Sequence, residues 1–303
     1  DCLRRLLAMD PNWAIAQNHL GYIAMAEGRF DEAEELLKTY RFIASEQANP
    51  HDSMAELLIL RGRYDEAEQE LAEAVRIRPD FCIPWRRRIQ VKVLRGDGAA
   101  AVAALAEMKA NGRCRKAEIE SASCYAATWE ATLRGALEEA WVVQRSPLCG
   151  EGDKDRVLAV RLGFVLGHDQ EAREMLDQTR ERDRLYGDRE PLLRALVQHL
   201  SAIEISATAP PPSGATVASE PWTRVADLLG QADRTLSYQG ADEGNFKLFN
   251  RLDLAHVLAD LGRGAEAEAL LSEGAAVNPV IGKTFHGFPR NATEWQRDGW
   301  PAH

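Results

Sequence analysis

Three glycines stand 34 residues apart, at Gly28, Gly62 and Gly96. Ala33, Ala67 and Ala101 keep the same step, and so do Leu37, Leu71 and Leu105. A period of this length is too long for a turn of helix and too short for a domain. It marks one supersecondary unit that buries its apolar side only by stacking on copies of itself. No other feature of the chain restricts the fold as tightly.

The text inside the period says what the unit is. Gly28-Arg29-Phe30-Asp31-Glu32-Ala33-Glu34 returns as Gly62-Arg63-Tyr64-Asp65-Glu66-Ala67-Glu68. Each string reads as a helix end, a tight turn and a new helix. Glycine supplies the left-handed backbone that closes the first helix. Asp31 and Asp65 are expected to cap the second, with Glu34 and Glu68 completing a capping box. The small alanine lets the two helices approach closely, and Pro11 and Pro79 release the chain into the next pair.

On these residues the chain resembles the tetratricopeptide repeat family, with Leu20-Gly21, Gly28 and Ala33 in one unit and Trp85 at the family's aromatic position in another. The resemblance implies an all-α fold, a right-handed α-solenoid of stacked antiparallel helix pairs. It divides the chain as follows. Residues 1–13 end a preceding repeat, so the natural start is expected upstream. Residues 14–115 form three regular units and 116–182 two degenerate ones, marked by Gly135, Ala140, Gly167 and Ala172. Residues 183–247 form a divergent helix pair around a Pro-rich loop at 206–220. Leu193, Leu196, Val197, Leu200 and Ile203 give one apolar stripe of that pair; Trp222, Val225, Leu228, Leu229, Ala232 and Leu236 give the other. Residues 248–281 make the last unit, with Ala255, Gly262, Ala267, Leu271 and Pro279. The tail at 282–303, with Phe285, Phe288, Trp295 and Trp300, is expected to cap the stack or else to dock a partner.

The resemblance also implies that the first helix of each pair lines a concave groove. Its inward positions give Asn18, Tyr22, Asp52, Glu56, Arg86, Gln90, Tyr125, Trp129, Arg161 and Phe164 as candidate partner-binding residues. Asp52 and Glu56 form an acidic spot, Arg86 and Gln90 follow on the next unit, and Tyr125, Trp129 and Phe164 make an aromatic zone. Such a mixture suits an extended or helical peptide. Residues 82–120 carry nine Lys/Arg against four Asp/Glu, whereas 14–81 carry seven against fourteen. The run Trp85-Arg86-Arg87-Arg88 either grips an acidic partner or pairs with the acidic unit beside it. Of the positions by which co-chaperone members of the family clamp a C-terminal carboxylate (here Asn18, Tyr22, Ser53, Ile83 and Arg87), only Arg87 fits. A carboxylate-clamp co-chaperone is therefore not expected.

Signals for chemistry are weak. Gly96-Asp97-Gly98 and Gly262-Arg263-Gly264 imitate a dinucleotide fingerprint but follow helices rather than strands, so they read as repeat turns. His256 and Asp260 are one helical turn apart, too few ligands for a metal. No nucleophile elbow or P-loop is present, and no cofactor is expected. A net charge of −10 opposes nucleic-acid binding by counterion release, and no apolar run is long enough to span a membrane. The five cysteines lack a CxxC pair and read as reduced, helix-packed thiols, favouring the cytoplasm over the periplasm.

The expected function is a non-catalytic scaffold or adaptor for a protein or peptide, of bacterial type, with homo-oligomerisation compatible. Two alternatives stay open. One is the partner-binding or sensory region of a longer signalling, regulatory or enzymatic chain. The other is an enzyme whose pocket is closed by the 206–220 loop and the tail.

Overall fold

The computed structural model describes residues 2–147, 149–150, 153–187, 189–209 and 220–285, without the side chains of 153–156. Among these residues all regular structure is helical. The Pro-rich 210–219 and the tail beyond Phe285, including Phe288, Trp295 and Trp300, lie outside the described residues. The chain divides into two compact units, residues 1–122 with 237–245, and 123–236 with 246–303.

The first unit contains α1 (Cys2–Met9), α2 (Ala14–Ala26), α3 (Phe30–Ile43), α4 (Ala48–Leu60), α5 (Tyr64–Ile77), α6 (Cys82–Leu94) and α7 (Gly98–Asn111). α2 packs on α3, α4 on α5 and α6 on α7, while α3 meets α4 and α5 meets α6. α4 also touches α2 and α6, so the first helices of the pairs share a layer. Ala33, Ala67 and Ala101 are wholly buried, as are Leu37 and Leu71. The repeating glycines sit at positive φ (74°, 68° and 76° at Gly28, Gly62 and Gly96), a region that costs a residue with a Cβ about 1 kcal/mol or more. The repeat also shows in a side-chain bond. Gln17 donates to the Pro11 carbonyl (3.0 Å), and Trp85, at the same position two units on, donates to that of Pro79 (3.2 Å).

The expected caps are corrected. α3 and α5 begin at Phe30 and Tyr64, so Asp31 and Asp65 lie inside the first turn, and the N-cap residues are Arg29 and Arg63, whose side chains make no cap bond. At the equivalent place in the third pair stands Asp97, which does cap, accepting from the Ala100 amide (2.8 Å). Asp31 and Asp65 instead set negative charge at the positive end of the helix dipole. Glu34 turns to Arg63 (2.7 Å) and Glu68 to Lys92 (2.7 Å), joining successive pairs.

The second unit contains α9 (Leu137–Arg145), α10 (Asp153–Leu166), α11 (Asp169–Tyr186), α12 (Pro191–Thr208), α13 (Glu220–Thr235), α15 (Gly264–Val277) and α16 (Ile281–Thr284). It also takes the later parts of α8 (Lys116–Leu133) and α14 (Gly240–Asp260). α12 and α13 pack as the expected pair: Leu193, Leu196 and Leu200 are buried on one, Trp222, Val225, Leu229 and Ala232 on the other. Trp222 sits in a core shared with Leu254, Ala255 and Leu258 of α14 and Ala267 of α15. Leu271 of the last unit is 47% exposed.

The reading of reduced cysteines is overturned. Cys82 bonds to Cys114 and Cys124 to Cys149, with Cα separations of 5.7 and 5.1 Å, and Cys2 remains a free exposed thiol. A helix pair folds back on itself over about one period, so cysteines 32 and 25 residues apart meet side by side. Sequence spacing alone gives no sign of this.

Candidate functional site

In the first unit the layer of α2, α4 and α6 carries a connected polar network. Tyr22 of α2 donates its hydroxyl to Glu56 Oε2 of α4 (2.6 Å) and lies 3.4 Å from Ser53 Oγ. Arg87 of α6 reaches the same Oε2 with Nη2 (2.6 Å) and places Nη1 on Asp52. Asp52 and Glu56 are buried, and the Arg87 side chain is only 12% exposed. Burial pulls the Arg87 guanidinium down, but Asp52 and Glu56 outweigh it and hold it above its usual range. Burial pushes the Tyr22 hydroxyl up, reinforced by Glu56. Burial also raises the Asp52 carboxyl against the pull of Arg87. Asp52 Oδ1 finds no donor among the described residues, and the same holds for Oδ1 of half-buried Asn18.

This layer holds a segment from far along the chain, Ser237–Asn245. The Ala241 amide donates to Glu56 Oε1 (3.0 Å), in the first turn of α14, where an amide has no acceptor within its own helix. Gln90 donates to Asp242 Oδ1 (2.9 Å), and Arg86 lies 3.5 Å from Asp242 Oδ2. Tyr238 sets its ring edge-on to Phe30 at 5.3 Å, with the Arg61 guanidinium 5.1 Å over the Phe30 ring. Glu243 folds back to accept from the Ser237 amide (2.7 Å) and hydroxyl (2.9 Å), ordering the entry to α14. Arg86 and Asp242 keep partly open side chains, 47% and 40% exposed. The other arginines of the basic run are internal in their pairing, Arg87 as above and Arg88 with Glu107 (2.8 Å) and the Trp85 ring (5.1 Å).

The structure therefore brings Tyr22, Asp52, Glu56, Arg86 and Gln90 together through Arg87 and Asp242. For Arg87 the second of the two readings of the basic run holds, pairing with the acidic unit beside it. The Ser237–Asn245 segment was missed because it lies outside the regular repeats. Its only local signal is Gly240-Ala241-Asp242-Glu243, an acidic helix start.

The remaining candidates lie in the second unit and separate into two groups. Tyr125 and Trp129 stack obliquely at 6.2 Å, Trp129 meets Phe285 at 6.2 Å, and Phe285 meets Phe249 at 5.2 Å. Phe164 belongs elsewhere, in a buried cluster with Val160, Ala172, Leu176 and Leu200. Arg161 is buried against Asp253 and donates from Nη2 to His199 Nε2 (2.9 Å). His199 Nδ1 faces Asn250 Oδ1 (2.8 Å), whose amide nitrogen donates to the Leu229 carbonyl (3.0 Å). These partners fix a neutral imidazole protonated at Nδ1. Burial, helped by Arg161, pulls its pKa down to about 4. The cluster is closed to solvent, and Arg161, Asp253, His199 and Asn250 are linked to one another, which reads as a packing arrangement rather than a poised acid and base.

His256 is exposed. Cys82, Cys114 and Glu118 lie within 4.8 Å of one another, but the two sulfurs are bonded to each other and Glu118 accepts from Arg115. Among the described residues no helix is long and apolar enough to cross a membrane.

The tetratricopeptide repeat model matches residues 14–38, 49–73 and 251–273. The chain carries tetratricopeptide repeats. The matched stretches span α2–α3, α4–α5 and the meeting of α14 with α15. Among solved structures the chain is similar to a tetratricopeptide repeat protein from Parabacteroides merdae, with 14% identity, 77% of this chain and 84% of that chain covered, and a TM-score of 0.52. It also matches the Naa15/Naa10 complex bound to HypK-THB (16% identity, 90% and 48% covered, TM-score 0.33). A third match is the P58(IPK) tetratricopeptide domain (15%, 90% and 76%, TM-score 0.24). No curated protein matches the sequence.

Proposed function

We propose that this tetratricopeptide protein is a non-catalytic scaffold that binds a protein partner through the α2–α4–α6 layer of its first unit. One observation carries the reading: Glu56, Arg86 and Gln90 on this layer already hold a peptide segment by its backbone and by an acidic side chain. A surface able to meet a helix start and a carboxylate from its own chain has the chemistry to meet those of another. Tyr125 and Trp129 offer a second, aromatic area in the other unit. The disulfides favour work in an oxidising compartment, in place of the cytoplasm expected from the sequence.

Affinity capture with the full chain tests the reading. Wild type is compared with an Arg86→Glu, Gln90→Ala variant whose helical signal is unchanged. Partners retained by wild type and lost by the variant support it. An identical partner set on both would move the binding surface elsewhere.

A further inference from the structure

The segment Ser237–Asn245 is held at four points spaced two residues apart, and the spacing defines a recognition pattern. Tyr238 is anchored on Phe30. Gly240 stands at φ +83°, and a Cβ there would lie 2.5 Å from Glu56 Oε1, the atom that accepts the next amide. Asp242 is met by Gln90 and Arg86. A Cβ at Gly244 would lie 2.6 Å from Leu60 Cδ1. Two anchors thus demand specific side chains, one aromatic and one acidic, and two demand none at all. The receiving residues come from α3 (Phe30), α4 (Glu56, Leu60) and α6 (Arg86, Gln90), so the pattern is read across three successive repeats.

We infer that Ser237–Asn245 is a resident ligand of this layer, and that the partner is a peptide segment of the same chemistry: aromatic, any residue, glycine, alanine (Ala241 is buried here), aspartate, any residue, glycine, beginning a helix. The inference rests on the α2–α4–α6 layer being the binding surface. The acidic side chain of the pattern meets the partly open Arg86, while Arg87 is taken up by Asp52 and Glu56. The partner takes this place by displacing the resident segment, so the intact chain binds it more weakly than a chain whose own segment has been dislodged.

The probe is a fluorescein-labelled peptide, Ser-Tyr-Gln-Gly-Ala-Asp-Glu-Gly-Asn, titrated against the full chain by anisotropy. Asp242→Arg, at a partly exposed position, and Gly244→Leu are the dislodging variants. Each is expected to bind the peptide at least ten-fold more tightly than wild type does. A peptide with arginine in place of its aspartate loses at least ten-fold, and regains binding to an Arg86→Glu chain. A peptide with leucine in place of its second glycine also loses at least ten-fold. Should a variant fail to fold, wild type is exposed to excess peptide carrying benzoylphenylalanine at the tyrosine position. Cross-linking beside Phe30 supports the inference; cross-linking elsewhere, or none, overturns it. Equal binding of the native and charge-reversed peptides also overturns it. If the peptide fails while Arg86→Glu, Gln90→Ala still abolishes partner capture, the pattern is wrong and the scaffold surface stands. If that variant also captures normally, the surface reading falls with it.

Discussion

Glu56 divides its carboxylate between two tasks, holding Tyr22 and Arg87 with Oε2 and the Ala241 amide with Oε1. Replacing it by glutamine leaves Arg87 with one carboxylate partner instead of two. Removing one member of a buried charge network costs about 3–5 kcal/mol, so Glu56→Gln should shift the urea midpoint strongly while leaving the fold helical at low denaturant. His199 gives a pH signature. Its folded-state pKa, about 4, lies below the usual value near 6.5 of an unfolded chain. Between those values the unfolded chain holds a proton that the folded chain refuses. Stability is therefore complete above about pH 6.5, falls as pH drops through the window, and this contribution is gone near pH 4. The shift corresponds to roughly 3 kcal/mol. His199→Gln should flatten the fall in Tm between pH 7 and pH 4.5 by several degrees; an unchanged slope would place the acid sensitivity elsewhere. Neither residue's role was legible in the sequence. Glu56 was placed on the inner layer but its partners were not, and His199 sits on an apolar stripe whose polar neighbours come from α10 and α14.

At the scale of the elements, the turns and the packing alanines were legible and the caps were not. Gly28, Gly62 and Gly96 take the left-handed conformation that their period implied, because no other residue closes the helix so cheaply. Asp31 and Asp65 look like caps in text, yet each helix starts two residues earlier than such a cap would set, on the aromatic side chain at Phe30 or Tyr64. Tertiary packing of that ring outweighs a capping bond of about 1 kcal/mol. Ala67 is wholly buried where α5 approaches α4, so Ala67→Trp should overpack the pair, lowering stability by about 3 kcal/mol or more in thermal melts. Cys82–Cys114 ties the two ends of one helix pair, and Cys124–Cys149 ties the middle of α8 to the residues that follow α9. Closing loops of 32 and 25 residues gives about 3–4 kcal/mol each on loop entropy, so reductant should lower Tm in a step matched by four titratable thiols beyond Cys2.

For the whole molecule, periodicity carried the fold because each helix pair packs mainly on its sequence neighbours. It could not carry the site. The contacts that fill the α2–α4–α6 layer join residues 152 and 185 positions apart, and a repeat says nothing about what returns from that distance. In the first unit this layer meets the chain's own Ser237–Asn245 through Glu56, Arg86 and Gln90, while Tyr22 bonds to Glu56 and Asp52 to Arg87. Amide hydrogen exchange at Ala241 tests this occupancy most directly, since a first-turn amide has no helical acceptor and owes its protection to Glu56. Slow exchange in the free protein, accelerated by excess Ser237–Asn245 peptide, is the expected result. Fast exchange in the free protein, or a rate the peptide leaves unchanged, would contradict it.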